Sequence, residues 1–168
     1  MHFRRSFLLI LLAWAVPILI FCQTGGRDPF VKISGEVSKP LTLYKEDLAK
    51  MKQVPVAFTD RNGKSRQFTG TPVLDILAQA GVTLGKDLRG ENLTKYMMVK
   101  CADGYEVLFS LAELDSSFTD RKIVLVFQSE GKPLSATEGP FRVVVPGEKK
   151  PARSCMQVTE LVIRYAKE

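Results

Sequence analysis

The chain of 168 residues has almost no histidine, since its single imidazole belongs to His2. The remainder of the chain lacks the group that a Ser-His-Asp or Cys-His nucleophile requires, and it has no histidine general base. Zinc sites with mixed Cys and His ligands and most catalytic zinc sites use an imidazole as well. These classes of catalytic and metal site are therefore excluded for the sequence beyond the N-terminal stretch.

Cysteine is also scarce, with Cys22 close to the N-terminus and only Cys101 and Cys155 after it. Cys101 has the same strand parity as Met97 and Val99, which favours a buried thiol that packs as a small apolar group. A disulfide between Cys101 and Cys155 is a second interpretation, because an oxidising compartment would permit it. A soft-metal ligand or reactive thiol at Cys101 is a third, and the sequence leaves all three open.

Concentrated runs of basic residues are missing. The chain has 24 lysines and arginines against 18 acidic residues, and setting aside Arg4 and Arg5 near the N-terminus leaves 22 basic residues, scattered along the sequence. A nucleic-acid-binding protein usually presents a basic patch or stripe on one face. We therefore expect no nucleic acid as a partner.

The N-terminus has the pattern of an export signal, because the basic start MHFRR precedes the apolar run SFLLILLAWAVPILIF. Pro17 interrupts this run, which is at the lower length limit for a spanning helix, so cleavage and retention as a membrane anchor both stay open. We favour cleavage, assign residues 1–22 to the signal or anchor and 23–29 to a linker, and expect a periplasmic or otherwise extracytoplasmic protein. Residues 30–168 have the usual size of one domain.

Two tight turns predict β-hairpins. Asn62-Gly63 separates the runs VPVAFTD and SRQFTG, and Asp103-Gly104 separates KYMMVKC from YEVLFS. Both dipeptides are typical of short hairpin turns, which need positive φ angles. Further strands are predicted at KIVLVF, FRVVV and VTELVIRY, where β-branched and apolar residues dominate.

Helices are predicted to be short and few. LTLYKEDLAKM is expected to form one, and Thr71 is expected to cap a second that has Pro72 at its first position and ends at Gly81. The strands do not alternate with helices at the regular spacing of a doubly wound sheet. The sequence therefore predicts an α+β domain, with a mixed sheet and two or three short helices.

A basic loop near the C-terminus is the strongest candidate for a binding site. It carries Lys149, Lys150 and Arg153, and Arg142 lies on the strand that leads into it. Positive charges beside free backbone N–H groups suit a bound anion, although lysine pairs in loops are more often simply solvated. Tyr105 follows the Asp103-Gly104 turn and is a further candidate, because its hydroxyl could reach a ligand.

Four segments occur in a characteristic order across residues 31–163. They are ISGEVSKPLTLYKEDLAKM, FTGTPVLDILAQAGV, ADGYEVLFSLAELD and GKPLSATEGPFRVVVPGEKKPARSCMQVTELVI. Together they resemble the oxidoreductase molybdopterin-binding domain of the sulfite oxidase family. The resemblance implies an α+β fold that, in full-length relatives, holds a molybdenum–molybdopterin cofactor and acts on small oxyanions or sulfoxides.

The resemblance also implies roles for the candidate residues. Molybdenum in the family takes two dithiolene sulfurs, oxo groups and one cysteine thiolate, which suits a soft metal. The basic loop at 147–154 occupies the place of a segment that contacts the pterin in the family, and Arg142 and Tyr105 are further candidates for cofactor binding. Cys101 lies on a later strand than the family's metal-binding cysteine and is not that ligand by position, but it could approach the pocket from elsewhere and is the candidate metal ligand. An electron-transfer partner would be needed only if the protein is an enzyme.

This sequence departs from the family's pattern at the catalytic loop. The metal-binding cysteine of the family follows the strand before the FTG segment, whereas VPVAFTDRNGKSRQFTG contains no cysteine. Met156-Gln157 stands where relatives with cofactor often have Lys-Trp, and the histidines that many relatives use are absent. The resemblance therefore supports the fold more strongly than the catalytic activity.

Because the fold and the catalytic activity are supported unequally, two functions are possible, and the sequence leaves open whether the protein is an enzyme. The first is a non-catalytic exported module that binds a small anionic ligand or a partner protein in the former cofactor groove. The alternative is a periplasmic molybdopterin-dependent oxidoreductase with atypical metal ligation. Contact with a membrane is expected only through an uncleaved N-terminal segment.

Overall fold

The computed structural model describes residues 28–166, so the predicted signal or anchor at 1–22 and most of the predicted linker lie outside the described residues. Two α-helices occur within that range, Lys45–Lys50 (α1) and Val73–Gln79 (α2). The strands there are Phe30–Gly35 (β1), Leu41–Tyr44 (β2), Val54–Thr59 (β3), Ser65–Pro72 (β4), Lys95–Cys101 (β5), Glu106–Ser110 (β6), Val124–Ser129 (β7), Lys132–Pro133 (β8), Arg142–Val144 (β9) and Val158–Tyr165 (β10).

The strands form two mixed or antiparallel sheets, which confirms the predicted α+β class. One sheet has the order β2-β1-β10-β5-β6, with β1 parallel to β10 and the other pairs antiparallel. The second has the order β3-β4-β7-β8, and β9 also pairs with β7. Because β3 is an edge strand, Pro55 is tolerated within it despite lacking an N–H group.

Side chains of the second sheet alternate between two apolar clusters. Leu125 and Phe127 of β7 join the main core, which also contains α2 and the inner faces of β1, β5 and β10. Val124 and Val126 point to the other face and pack with Phe58 and Phe68 in a smaller cluster. The period-2 geometry of strands therefore gives this sheet two buried faces.

Both predicted hairpins are confirmed. β3 and β4 pair across the turn at 60–64, and β5 and β6 pair across Asp103-Gly104. Gly63 and Gly104 have φ angles of 78° and 83°, a region that favours glycine because it lacks a Cβ. Asp103 accepts a hydrogen bond from the Tyr105 amide at 2.9 Å, so it stabilises its own turn.

The predicted helix starts were wrong in detail. The stretch 41–44 forms β2, and α1 begins only at Lys45. Thr71 belongs to β4 rather than capping α2, which begins one residue later with Pro72 at its N-cap. The buried Thr71 hydroxyl instead donates to the Leu48 carbonyl at 3.2 Å, so tertiary contacts determine its role. No helix among residues 28–166 is long and apolar enough to cross a membrane.

Candidate anion-binding site

Two arginines lie over two phenylalanine rings on the outer face of the second sheet. Phe58 of β3 is the register partner of Arg66 on β4, and Phe68 is two residues further along the same strand. On β9, Arg142 has the same parity as Val144, which belongs to the small cluster with both phenylalanines. Strand alternation therefore brings the two arginines and two rings to one face.

Arg142 is the buried cation of this face, with only 3% of its surface exposed. Its guanidinium carbon lies 4.4 Å from the centroid of Phe58 and 5.2 Å from that of Phe68, so cation–π contact stabilises the charge. Burial lowers the pKa of Arg142, and the carboxylate of Glu138 opposes that shift. An arginine side chain remains protonated in proteins, so a buried positive charge results.

Glu138 joins the two arginines. One carboxylate oxygen of Glu138 accepts from Arg142 at 2.5 Å and also from Arg66, and the second accepts from Arg66 at 3.3 Å. Burial alone would raise the pKa of Glu138, but the hydrogen bond and charge of Arg66 lower it below its usual value, with help from Arg142. The Nε atom of Arg142 has no hydrogen-bond partner, so Glu138 does not satisfy this guanidinium fully.

These residues line a cavity of about 420 Å³, which we call the arginine cleft. Its wall carries three arginines against two carboxylates, so it has an excess of positive charge. The lining residues are Phe58, Asp60, Arg61, Asn62, Arg66, Glu138, Arg142, Pro151, Ser154 and Met156. Positive charge in a partly dehydrated cleft favours an anionic ligand.

The turn between β3 and β4 closes one side of the arginine cleft. Asp60 accepts hydrogen bonds from the amides of Asn62 at 2.8 Å and Lys64 at 2.9 Å. The Asp60 amide also donates to the Lys64 carbonyl at 3.0 Å. This segment is the one in which the resemblance expects a cysteine-bearing catalytic loop, and here it is a short, internally bonded hairpin turn.

A second cavity of about 310 Å³ adjoins the arginine cleft and shares Arg61, Pro151, Ser154 and Met156 with it. We call it the thiol cleft because Cys155 is part of its lining. Tyr105 also lines it, and its hydroxyl donates to the Ala152 carbonyl at 3.0 Å. The Tyr105 hydroxyl, which was a candidate for ligand contact, therefore stabilises the loop at 151–153.

The two described cysteines are buried side by side. Cys101 and Cys155 are free thiols, 7% and 4% exposed. The hydrogen bond from Cys155 lowers the pKa of Cys101, while the same contact and burial raise that of Cys155. The prediction that Cys101 is buried with Met97 and Val99 is confirmed. Cys101 lines neither cleft, so its role as a metal ligand stays a prediction.

The charged side chains of the basic loop do not converge on one site. Arg153 donates to Glu148 and Glu113, the latter at 2.9 Å, and stacks on Phe109 at 4.6 Å from the ring centroid. Lys149 and Lys150 are exposed, and neither lines the arginine cleft or the thiol cleft. Of the five predicted binding residues, only Arg142 lies in the arginine cleft, so their common role as a binding site stays a prediction.

Sequence reasoning missed Arg61, Arg66 and Glu138. Arg66 could have been noticed, because its predicted hairpin places it opposite Phe58 and two residues from Phe68. Glu138 gave no such signal, since it lies in an irregular segment 72 positions from Arg66. Only the tertiary structure brings that carboxylate between the two guanidinium groups.

The chain belongs to the family described as the oxidoreductase molybdopterin binding domain, whose family model matches residues 28–164. This confirms the predicted relation to the sulfite oxidase family. No curated protein matches the chain.

Among solved structures, the chain is similar to the sulfane dehydrogenase SoxCD from Paracoccus pantotrophus. The TM-score is 0.64 at 22% sequence identity, so the likeness concerns the fold. The match covers 83% of this chain but only 39% of the SoxCD chain. This protein therefore spans well under half the length of that structure.

Family membership suggests a molybdenum–molybdopterin cofactor, but the residues of the arginine cleft do not fit its metal. No cysteine is among the residues that line the arginine cleft, so the cleft offers no thiolate to the metal. Within residues 28–166, no group of three or more His, Cys, Asp or Glu residues could hold a metal ion.

Proposed function

We propose that this protein is a non-catalytic member of its family that binds a small oxyanion in the arginine cleft. The observation that carries this proposal is the buried Arg142 guanidinium, which lines the cleft with Arg66 and retains an unpartnered Nε. A buried cation is costly unless it is paired. This charge is present although the neighbouring turn contains no thiolate for molybdenum.

The charge balance of the arginine cleft supports an anion as its ligand. Glu138 neutralises one of the two positive charges of Arg66 and Arg142. The Oδ1 atom of Asp60 accepts a hydrogen bond within its own turn. Arg61 adds a further positive charge to the wall. A tetrahedral oxyanion has several acceptor oxygens and could bridge these guanidinium groups, as arginines commonly do for phosphate.

The proposal assigns no redox step to the protein. A metal-bound thiolate is the family feature that the arginine cleft lacks, because no cysteine is among its lining residues. An electron-transfer partner is then unnecessary. A partner protein remains compatible with the proposal only where its contact group is an anion, such as a carboxylate or phosphoryl group, that enters the same cleft.

Export is a further part of the proposal and rests on the sequence of residues 1–22, with periplasmic or other extracytoplasmic localisation as its consequence. The described residues do not bear on it. Cell fractionation is the direct test, and recovery of the full-length chain in the cytoplasm alone would contradict export without affecting the anion site.

The anion site is tested by calorimetric titration of the full chain with inorganic phosphate or sulfate at low ionic strength. We expect one saturable site, and we expect Arg66→Gln to weaken it about tenfold or more, because a hydrogen bond to a charged group contributes about 1.5–3 kcal/mol. Arg66 is preferred to Arg142 for this test because it is less buried.

The matched control is the double variant Lys149→Gln/Lys150→Gln, which removes two positive charges from the basic loop. Both lysines are exposed and lie outside the arginine cleft, so phosphate affinity should change less than about threefold. If the double variant lost binding while Arg66→Gln retained it, the basic loop would be the site and the proposal would be wrong.

A further inference from the structure

The thiol pair lies where two separate parts of the chain meet. Cys101 is the last residue of β5, and its register partner across the sheet is Val158 of β10. The Ala102 amide donates to the Gln157 carbonyl at 2.9 Å, which extends this pairing toward Cys155. The Cys155 carbonyl in turn accepts a hydrogen bond from the Val143 amide of β9 at 2.9 Å. Strand pairing thus holds both cysteine backbones in place.

We propose that Cys101 and Cys155 form an intramolecular disulfide, which fixes the end of β5 to the loop that walls both clefts. Both side chains belong to the same core cluster, and Cys155 lines the thiol cleft together with Asp103 and Tyr105, close in sequence to Cys101. A disulfide needs Cα atoms within about 7 Å of each other, a condition that two cysteines fixed on adjoining backbone segments can meet.

Oxidation of the pair proceeds by thiol–disulfide exchange. One of the two thiols, as its thiolate, attacks the disulfide of a thiol–disulfide oxidoreductase and displaces one of that protein's thiolates. The other thiol then loses its proton, attacks the sulfur of this chain in the mixed disulfide and releases the second thiolate of the oxidoreductase. Two thiols of this chain are oxidised and the disulfide of the oxidoreductase is reduced to a dithiol.

Formation of the disulfide needs no bound anion, but the disulfide restrains a loop that also lines the arginine cleft. The loop from Pro151 to Met156 contributes residues to both clefts, and Cys155 lies within it. Tyr105 already holds this loop through the Ala152 carbonyl. A covalent link to β5 would restrict the same loop in the unfolded chain as well, which is the main source of disulfide stabilisation.

Peptide mapping of the full chain tests the disulfide. The protein is purified without reductant, equilibrated with equal concentrations of reduced and oxidised glutathione, alkylated in denaturant and digested with trypsin. Cleavage after Lys100 and Arg121, and after Arg153 and Arg164, releases peptides 101–121 and 154–164. We expect most of both peptides to be recovered as one linked species, whose mass is their sum less two hydrogens.

Reduction should then lower the thermal midpoint of the wild-type chain by about 5–10 °C. The double variant Cys101→Ser/Cys155→Ser should show no response to reductant. Recovery of both peptides mainly as alkylated thiols would overturn the proposal, and so would links to Cys22 or to a second chain. The peptide map requires no anion, so its outcome is separate from that of the phosphate titration.

Discussion

Arg142→Ala is expected to lower the free energy of unfolding by about 3 kcal/mol and to abolish phosphate binding. The substitution removes a buried ion pair to Glu138 and the cation–π contacts with Phe58 and Phe68. Removing one partner of a buried pair commonly costs about 3–5 kcal/mol, and Arg66 retains part of the interaction with Glu138. Urea denaturation measures the loss, which corresponds to a fall of about 6–12 °C in thermal midpoint.

Arg164→Ala is the matched control for this substitution. Arg164 also lies on a strand, in β10, but its side chain is exposed. We expect its replacement to change stability by less than about 1 kcal/mol and to leave phosphate binding intact. Equal losses in the two variants would show that Arg142 contributes no more than a surface arginine. Arg142→Lys should be intermediate, because lysine keeps the charge but not the planar stacking group.

Glu138→Ala is expected to make stability depend strongly on phosphate. Without the carboxylate, Arg66 and Arg142 face each other unpaired, and we expect a loss of about 2 kcal/mol in phosphate-free buffer. Phosphate can then take the place of the carboxylate, and at one hundred times its dissociation constant it would restore about 2.7 kcal/mol. The thermal midpoint of the variant should therefore rise with phosphate by more than that of the wild type.

The chain supplies a close control in Glu148, which also bridges two arginines, Arg121 and Arg153. Glu148→Ala should show a smaller response to phosphate, because Arg153 keeps Glu113 as a partner at 2.9 Å. If phosphate rescued Glu148→Ala as well as Glu138→Ala, any arginine pair would suffice and the arginine cleft would not be special. If phosphate raised the thermal midpoint of the wild type more than that of Glu138→Ala, phosphate would not be taking the place of the missing carboxylate, and this prediction would be contradicted.

Local signals in the sequence predicted the hairpins and the last strand well. Asn62-Gly63 and Asp103-Gly104 encode their turns through backbone preferences that no distant contact has to supply. The last strand was predicted near VTELVIRY, and this segment forms β10. The start of α2 was misplaced, because Thr71 has the side chain of a good N-cap but is held in β4 by contacts with Leu48 and Gln53.

The candidate site was predicted less well, for a reason that its charges make clear. The basic loop looked suitable because Lys149, Lys150 and Arg153 are neighbours in sequence. In the structure, Arg153 is engaged by Glu113, which is 40 positions away, and the lysines are exposed. The cation that is buried in a cleft, Arg142, owes its environment to two phenylalanines and a glutamate from other segments. Such long-range pairing leaves little trace in local sequence patterns.

We infer that this chain has the fold of its family without the metal site. Molybdenum and pterin content tests this claim most directly, measured by mass spectrometry and oxidised-pterin fluorescence on the full chain. The chain should be produced beside a cofactor-containing relative in a host that loads the relative. Our account predicts far less than one molybdenum per chain while the relative is loaded. Near-stoichiometric molybdenum and pterin in this protein would contradict it.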